Sequence, residues 1–381
     1  MKIIDKLKNS LLYYNKYKAH SEAVIIACYF NPQNSPYRIK AFNIWYDTIK
    51  HLNHRIIECV IGDSEPQLPI NRNISRIHTQ NLLWHKEALL NKIISELPKK
   101  YKYVFWLDTD VIFTNKDWVI EGVESLKTNN ILQPFEYCIH LDRDEMKPSF
   151  NYDLERVNCY DSKARHPKMW RSFCSNYVKT NEISRDVNYD KHGHVGFAWG
   201  ARRDVLDIMP LYDKALIGGA DHIMAHASAG QIGHPCITKA FTDDIDAIND
   251  WSRLFYNVIN GRIGYVKGDL FHIWHGDLEK RQYLKRIQDF THKTKDIVEK
   301  DENGLYITKK EDDQYVREYF KHREVDSSSD FLKSMALGYA TDSTIIGAAL
   351  GGDILGAVIG DSLNTTDDFS GGDYIKEENF S

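Results

Sequence analysis

Tyr103-Val104-Phe105-Trp106-Leu107-Asp108-Thr109-Asp110-Val111-Ile112-Phe113, YVFWLDTDVIF, is the stretch on which the fold turns. Its first five residues are apolar at every position rather than at every second one, which marks a strand covered on both faces in a largely parallel sheet. Two aspartates follow at once. Residues two apart on a strand project to one face, so Asp108 and Asp110 are expected to converge at the strand's carboxyl end. Open α/β sheets bind their ligands there. Paired hard carboxylate oxygens suit Mn2+ or Mg2+, and such a cation neutralises a pyrophosphate leaving group.

Upstream, Ala23 to Tyr29 (AVIIACY) is a second fully apolar run, the expected first strand of the sheet. Ser35-Pro36 then supplies a cap and a first-turn proline, and Ala41, Ile44, Trp45, Ile49 and Leu52 follow at helical spacing. Arg55 to Ile61 reads as another strand, Gly62 to Asn81 as polar and irregular chain, and Leu83 to Leu97 as a helix stopped by Pro98. Downstream, Gln133 to Asn188 loses periodicity and is rich in Tyr, Arg, Asn and Pro, as expected of loops lining an acceptor cleft. His194 to Arg203 reads as a short strand entering a glycine turn, and Asp204 to Leu211 as a helix. Gly218-Gly219 opens a further helix toward Ala229, Phe271 to Gly276 is the last strand, and a charged helix runs to Phe290. Alternating strands and helices of this kind predict an open mixed α/β sheet flanked by helices.

The 381 residues are 42% hydrophobic and 27% charged, with a net charge of −5 and a pI near 6.3. Mild acidity without a basic block argues against nucleic acid as the principal partner. The N-terminus lacks the continuous apolar run of a signal peptide, so a cytoplasmic location is expected. Cys28, Cys59, Cys138, Cys159, Cys174 and Cys236 form no CxxC pair and read as reduced, buried thiols rather than a disulfide framework or a zinc site. Beyond Val325 the composition shifts to Ser, Asp and Gly, as in a disordered tail. Within it, Thr344 to Gly360 (TIIGAALGGDILGAVIG) is shorter than the ~20 residues of a membrane span and is broken by Asp353, which favours peripheral attachment or self-association over spanning.

A family resemblance rests on four ordered motifs. Trp84-His85-Lys86-Glu87, Leu89-Leu90-Asn91 and Leu97-Pro98, followed by YKYVFWLDTDVIF, resemble the donor half of a GT-A glycosyltransferase. His194 to Arg203 (HVGFAWGARR) resembles the family's acceptor-side strand. Gly218-Gly219-Ala220-Asp221-His222 is similar to the segment that carries the general base in galactosyltransferase-like members, although Ala220 replaces an acid found there. His272-Ile273-Trp274-His275-Gly276 resembles the histidine motif that completes the metal site. The resemblance implies a GT-A, Rossmann-like sheet over 23–300, with a donor half at 23–132 and an acceptor half at 133–300. Around it lie a lead-in at 1–22, a charged linker or helix at 301–325 and a low-complexity tail at 326–381.

It also implies a hexosyltransferase with Mn2+ or Mg2+, a nucleotide-sugar donor with uridine diphosphate as default, and a glycan, protein or small-molecule acceptor. Asp110 is the direct metal ligand in this reading, and Asp108 meets the ribose or a metal-bound water. His272 and His275 are both candidate ligands, with His275, last before the glycine turn, preferred. Tyr29, Phe30, Asn31 and Arg38, at and after the first strand, are expected to meet the nucleotide, with a place in the core as the alternative for the two aromatics. Lys86 is expected either near the pyrophosphate or at the surface. Arg202 and Arg203 hold a phosphate or pair with nearby acids. Asp221 is the base of an inverting transfer, or else an acid that caps its helix. Two other readings use the same residues. In a phosphatase or phosphotransferase of the haloacid dehalogenase kind, Asp108 is nucleophile, Asp110 is acid and the cluster Asp243-Asp244-Ile245-Asp246 mimics a later metal motif. In a carbohydrate-binding protein, aromatic residues stack on sugars and no metal is needed.

Overall fold

The structure is a computed structural model and describes residues 17–141, 169–181, 192–242, 244–276, 283–294, 299–307 and 310–322. The tail from 326 onward and most of the lead-in lie outside these residues. So does 142–168, the bulk of the anticipated acceptor region. No helix among the described residues is long and apolar enough to cross a membrane.

Two sheets make the framework. The larger comprises β1 (Ala23–Phe30), β2 (His54–Ile61), β3 (Ile74–Thr79), β4 (Tyr103–Leu107), β6 (Ile131–Gln133), β9 (Ala198–Arg202) and β10 (Ile263–Tyr265), in the order β10-β6-β9-β4-β1-β2-β3. Its pairings are parallel except where β9 runs antiparallel between β4 and β6. This is the open mixed α/β sheet anticipated from the alternation of apolar runs and helices. Helices α1 (Pro36–Ile49) and α2 (Lys86–Glu96) follow β1 and β3. Their apolar stripes, Phe42-Trp45-Ile49 and Leu89-Leu90-Ile93-Ile94, enter two different cores.

Side-chain parity sorts β1 and β4 between those cores. Val24, Ile26, Val104 and Trp106 belong with α2, whereas Ile25, Ala27, Tyr29, Phe105 and Leu107 belong with α1. Gly200 on β9 has no side chain because one would collide with the Phe105 ring.

A smaller sheet consists of β5 (Val111–Phe113), β7 (Tyr137–His140), β8 (Met169–Arg171) and β11 (Asp269–His272), ordered β5-β11-β7-β8. The chain passes from β4 into β5 through Asp108-Thr109-Asp110, so the acidic triplet is the joint between the two sheets. Asp108 and Asp110 therefore occupy a turn rather than one strand face, which corrects the convergence expected from strand parity.

One further departure concerns an element. Ile74–Thr79 lies inside the stretch read as irregular and forms an edge strand, with only Ile74, Ile77 and Thr79 buried. Downstream come α3 (Trp118–Leu126), α4 (Phe173–Thr180), α5 (Arg203–Ile208), α6 (Ala220–Ser228), α7 (Pro235–Thr238), α8 (Ile245–Ile259), α9 (Tyr283–Thr294) and α10 (Lys310–His322). The acids of the 243–246 cluster that the structure describes, Asp244 and Asp246, stand at the N-cap and first turn of α8. The charged segment after 300 includes α10, whose Phe320 stacks on Trp84 with ring centroids 4.7 Å apart.

Candidate active site

A cleft of about 570 Å³ opens at the carboxyl ends of β1 and β4, where the chain leaves the sheet on either side of the reversal in strand order. Its acidic floor is set by register. Strand β11 pairs antiparallel with β5, placing His272 beside Val111, and the Ile273 amide donates to the Asp110 carbonyl at 2.8 Å. A histidine motif 160 residues downstream is thereby laid against the aspartate turn. Nε2 of His275 lies 2.9 Å from Asp110 Oδ2, and Nε2 of His272 lies 3.8 Å from the same oxygen. The other oxygen, Asp110 Oδ1, is buried without a hydrogen-bond partner. One ligand atom from each of Asp110, His272 and His275 falls within 4.8 Å of the others, a donor set able to hold a divalent cation. Both histidines of the motif thus reach Asp110, while Asp108 stands apart from this set.

Asp108 is engaged by Lys86, whose Nζ lies 2.7 Å from Oδ1. The same ammonium reaches Asp221 Oδ2 at 3.4 Å. Lys86 is therefore part of the cleft rather than a surface lysine. Burial disfavours its charge, but Asp108, Asp221 and the neighbouring Glu87 outweigh this and hold its pKa well above the usual value.

Asp221 sits in the first turn of α6 after Gly218 and Gly219, which have φ of 95° and 100°. A side chain at Gly218 would strike the Arg286 guanidinium and one at Gly219 the Phe241 ring, so both positions require glycine. Asp221 Oδ1 is buried and unpartnered. Burial raises the Asp221 pKa, Lys86 opposes the rise and Asp108 adds to it. Glu87 is pushed up to about 8, first by burial, with Lys86 opposing and Asp221 adding.

The nucleotide candidates on β1 separate by parity. Phe30, Asn31 and Arg38 line the cleft. Tyr29 does not, which corrects its placement with them: it faces the opposite core, edge-on to Phe42 at 5.0 Å, and its hydroxyl donates to Gln67 Oε1 at 2.9 Å. Asn31 is itself 4% exposed and ties the following turn, accepting from the Ser35 amide and donating to Gln67. Arg202 and Arg203 pair with Asp204 and Asp207 and do not line the cleft. Neither Asp244 nor Asp246 reaches it.

Three contributors were not read from the sequence. Arg286 of α9 is 4% exposed, lies over the Trp84 ring at 4.7 Å and donates to the Tyr319 hydroxyl at 2.9 Å. The signal was present, since Arg286 shares the buried face of its helix with Ile287 and Phe290. Phe320 closes the aromatic wall formed by Phe30 and Trp84. Phe197 adopts φ of 78°, a conformation rare for a non-glycine residue, and its carbonyl accepts from the Asp108 amide at 2.7 Å. Its ring is stacked between His194 and His272, at 4.1 and 4.8 Å, so packing holds the strained backbone in place beside the acidic turn.

No family model and no curated protein matches the chain. Among solved structures it is similar to glucosyl-3-phosphoglycerate synthase from Mycobacterium tuberculosis in complex with Mn2+, uridine diphosphate and glucosyl-3-phosphoglycerate. The identity is 13% over 72% of this chain and 79% of that one, with a TM-score of 0.35. The complex of that enzyme with Mg2+ and uridine diphosphate matches at 12% identity over 73% and 80%, with a TM-score of 0.36. A crystal structure described as a mycobacterial protein matches at 12% identity over 73% and 75%, with a TM-score of 0.37. TM-scores this low leave the architecture to be read from the sheet order itself.

Proposed function

We propose that the protein is a metal-dependent GT-A glycosyltransferase that moves a hexose from a nucleoside diphosphate sugar to an acceptor hydroxyl. The observation that carries this reading is the meeting of Asp110, His272 and His275 at the mouth of β4, with one Asp110 oxygen buried and unpartnered, in the cleft that also holds Asp221. Three protein donors leave coordination positions for substrate oxygens. Two imidazoles beside one carboxylate suit Mn2+ better than Mg2+, which prefers an all-oxygen shell. Asp110, His272 and His275 would hold such a cation, which would supply neutralisation of charge on the departing diphosphate.

The chain's own groups supply the rest. Phe30, Trp84 and Phe320 offer ring faces to a nucleobase, by the resemblance that of a uridine diphosphate sugar, and Arg286 presents a cation at the same wall. Asp108 reaches toward the ribose, oriented by Lys86. Asp221 Oδ1 receives the acceptor's proton as the hydroxyl attacks the anomeric carbon, while Lys86 fixes its other oxygen. The expected setting is cytoplasmic, with Thr344 to Gly360 as an attachment or self-association segment. Deleting residues from Asp326 onward then leaves turnover in solution intact.

The test is donor hydrolysis and thermal stabilisation across a panel of nucleotide sugars, with and without Mn2+, on wild type and Asp110→Ala. A metal-dependent response to one nucleotide that vanishes in Asp110→Ala supports the transferase. Absence of any nucleotide response, with stability indifferent to Mn2+, overturns it in favour of a phosphatase or a sugar-binding protein.

A further inference from the structure

Next to Asp221, and touching the cleft through His222, stands a second group of ligating side chains that the transfer reaction does not use. His222 and His226 stand one turn apart on α6, so their rings share one face of the helix. Cys236 on α7 and His192 complete the group, and one ligand atom from each of the four falls within 4.8 Å of the others. Ring centroids of His192 lie 5.6 Å from His222 and 5.1 Å from His226. Cys236 Sγ is 3.4 Å from His192 Nε2. Nitrogen and sulfur donors around a tetrahedral Zn2+ are themselves separated by about 3.5 Å, given bond lengths near 2.0 and 2.3 Å.

Two features outside this spacing point the same way. Nδ1 of His192 is 2.9 Å from the Gly193 carbonyl, which fixes the proton there and leaves the Nε2 lone pair facing the thiol. A ligating imidazole is held in this manner, its other N–H given to a backbone carbonyl. His226 is 1% exposed, and its buried ring nitrogens make no well-formed hydrogen bond, the Gln231 side chain approaching them without ideal geometry, so they remain open to a metal ion. His234 supports the group from outside. Its ring stacks on His226 at 4.0 Å, and its Nδ1 accepts from the Cys236 amide at 3.2 Å.

We propose that His192, His222, His226 and Cys236 form a four-coordinate zinc site that pins the start of α6 to α7 and to the segment leading into β9. Three imidazoles and one thiolate saturate a tetrahedral ion, so the site is structural rather than catalytic. On binding, Cys236 releases its thiol proton to solvent and the three histidines bind as neutral rings. The ion therefore holds α6, which carries Asp221, without touching substrate. Cys236, a reduced thiol as the spacing of the cysteines suggested, is then a ligand.

The full chain is incubated with zinc sulfate, desalted and analysed for metal by mass spectrometry, alongside Asp110→Ala, Cys236→Ser and His226→Ala. The expected result is one tightly held zinc per chain in wild type and in Asp110→Ala, falling about tenfold or more in Cys236→Ser and His226→Ala. Loading wild type with Co2+ supplies a readout that survives if those variants fail to fold. A tetrahedral cobalt spectrum with a thiolate charge-transfer band is expected. No retained zinc in wild type, zinc lost with Asp110 rather than with Cys236, or bound cobalt without a thiolate band each overturns the proposal.

Discussion

Among the described residues two clusters of metal-ligating side chains contain histidines, and they differ in what they leave open. The cluster at the acidic turn has three donors, one of them a carboxylate, and faces the cleft. The cluster built from His192, His222, His226 and Cys236 has four donors, one of them a thiol. A three-donor set with an oxygen ligand leaves room for substrate, whereas a saturated nitrogen and sulfur set holds chain segments together. Removing a member of the first should therefore destroy rate and spare the fold, and removing a member of the second should do the reverse.

The largest effect tests the first half of that contrast. Asp110→Ala should lower kcat by about three orders of magnitude, the loss expected when several kcal/mol of charge stabilisation at the leaving diphosphate disappears. Its melting temperature without metal should stay within a few degrees of wild type, because the only side-chain contacts it gives up among the described residues are those of Oδ2 to His275 and His272, while Oδ1 has no partner to lose. An unfolded Asp110→Ala chain would merge the two clusters into one structural role. Next is Asp221→Asn, expected to reduce kcat by about 10²- to 10⁴-fold with little change in donor KM. Near wild-type turnover in that variant would leave Asp221 as a helix-capping acid.

Lys86→Met comes third. It leaves Asp108 and Asp221 without their shared cation, at a cost on the order of 2 kcal/mol for a pair that is partly solvated. Lys86 holds the Asp221 pKa down against burial. Without it, Asp221 keeps its proton to higher pH, so the acid limb of the kcat/KM profile should move up. A profile that stays in place would separate Asp221 from the rate-controlling ionisation.

The two clusters were unequally legible in the sequence, for physical reasons. Strand β4 matches its anticipated span residue for residue because burial on both faces leaves a continuous apolar run. Edge strand β3 buries only Ile74, Ile77 and Thr79, and its ISRIHT reads as polar chain. Helix α8 carries Ile248, Ser252, Phe255 and Ile259 on its buried side, a pattern open to reading but hidden by the acids at its start. Asp110, His275 and Asp221 stood out as motifs. The meeting of Asp110 with His275 depends on the pairing of β5 with β11, a long-range register that no local pattern encodes. Tyr29 shows the cost of ignoring parity, since its neighbour Phe30 enters the cleft while Tyr29 enters the opposite core. The second cluster was missed because its cysteine has no CxxC partner and its four ligands come from three separate segments.

The smallest expected effect sharpens the contrast through pH. Glu87, beside Lys86, has its pKa raised from 4.5 to about 8. Between those values the unfolded chain has ionised this residue while the native chain keeps its proton. The native state binds more protons, so this contribution to stability is fully present below about pH 4.5 and is lost as pH rises through 8. The histidine cluster in the metal-free chain carries the opposite sign. Burial, with neighbouring imidazoles adding, lowers His222 from 6.5 to about 3, so its contribution is present above 6.5 and is lost as pH falls toward 3. Glutamine cannot ionise, and Glu87→Gln should remove the alkaline loss alone. Its melting temperature should match wild type near pH 5 and exceed it by a few °C near pH 8.5, with the acid-side decline unchanged. A gap of equal size at both pH values would mean that Glu87 is already ionised in the native chain, with Lys86 outweighing burial there.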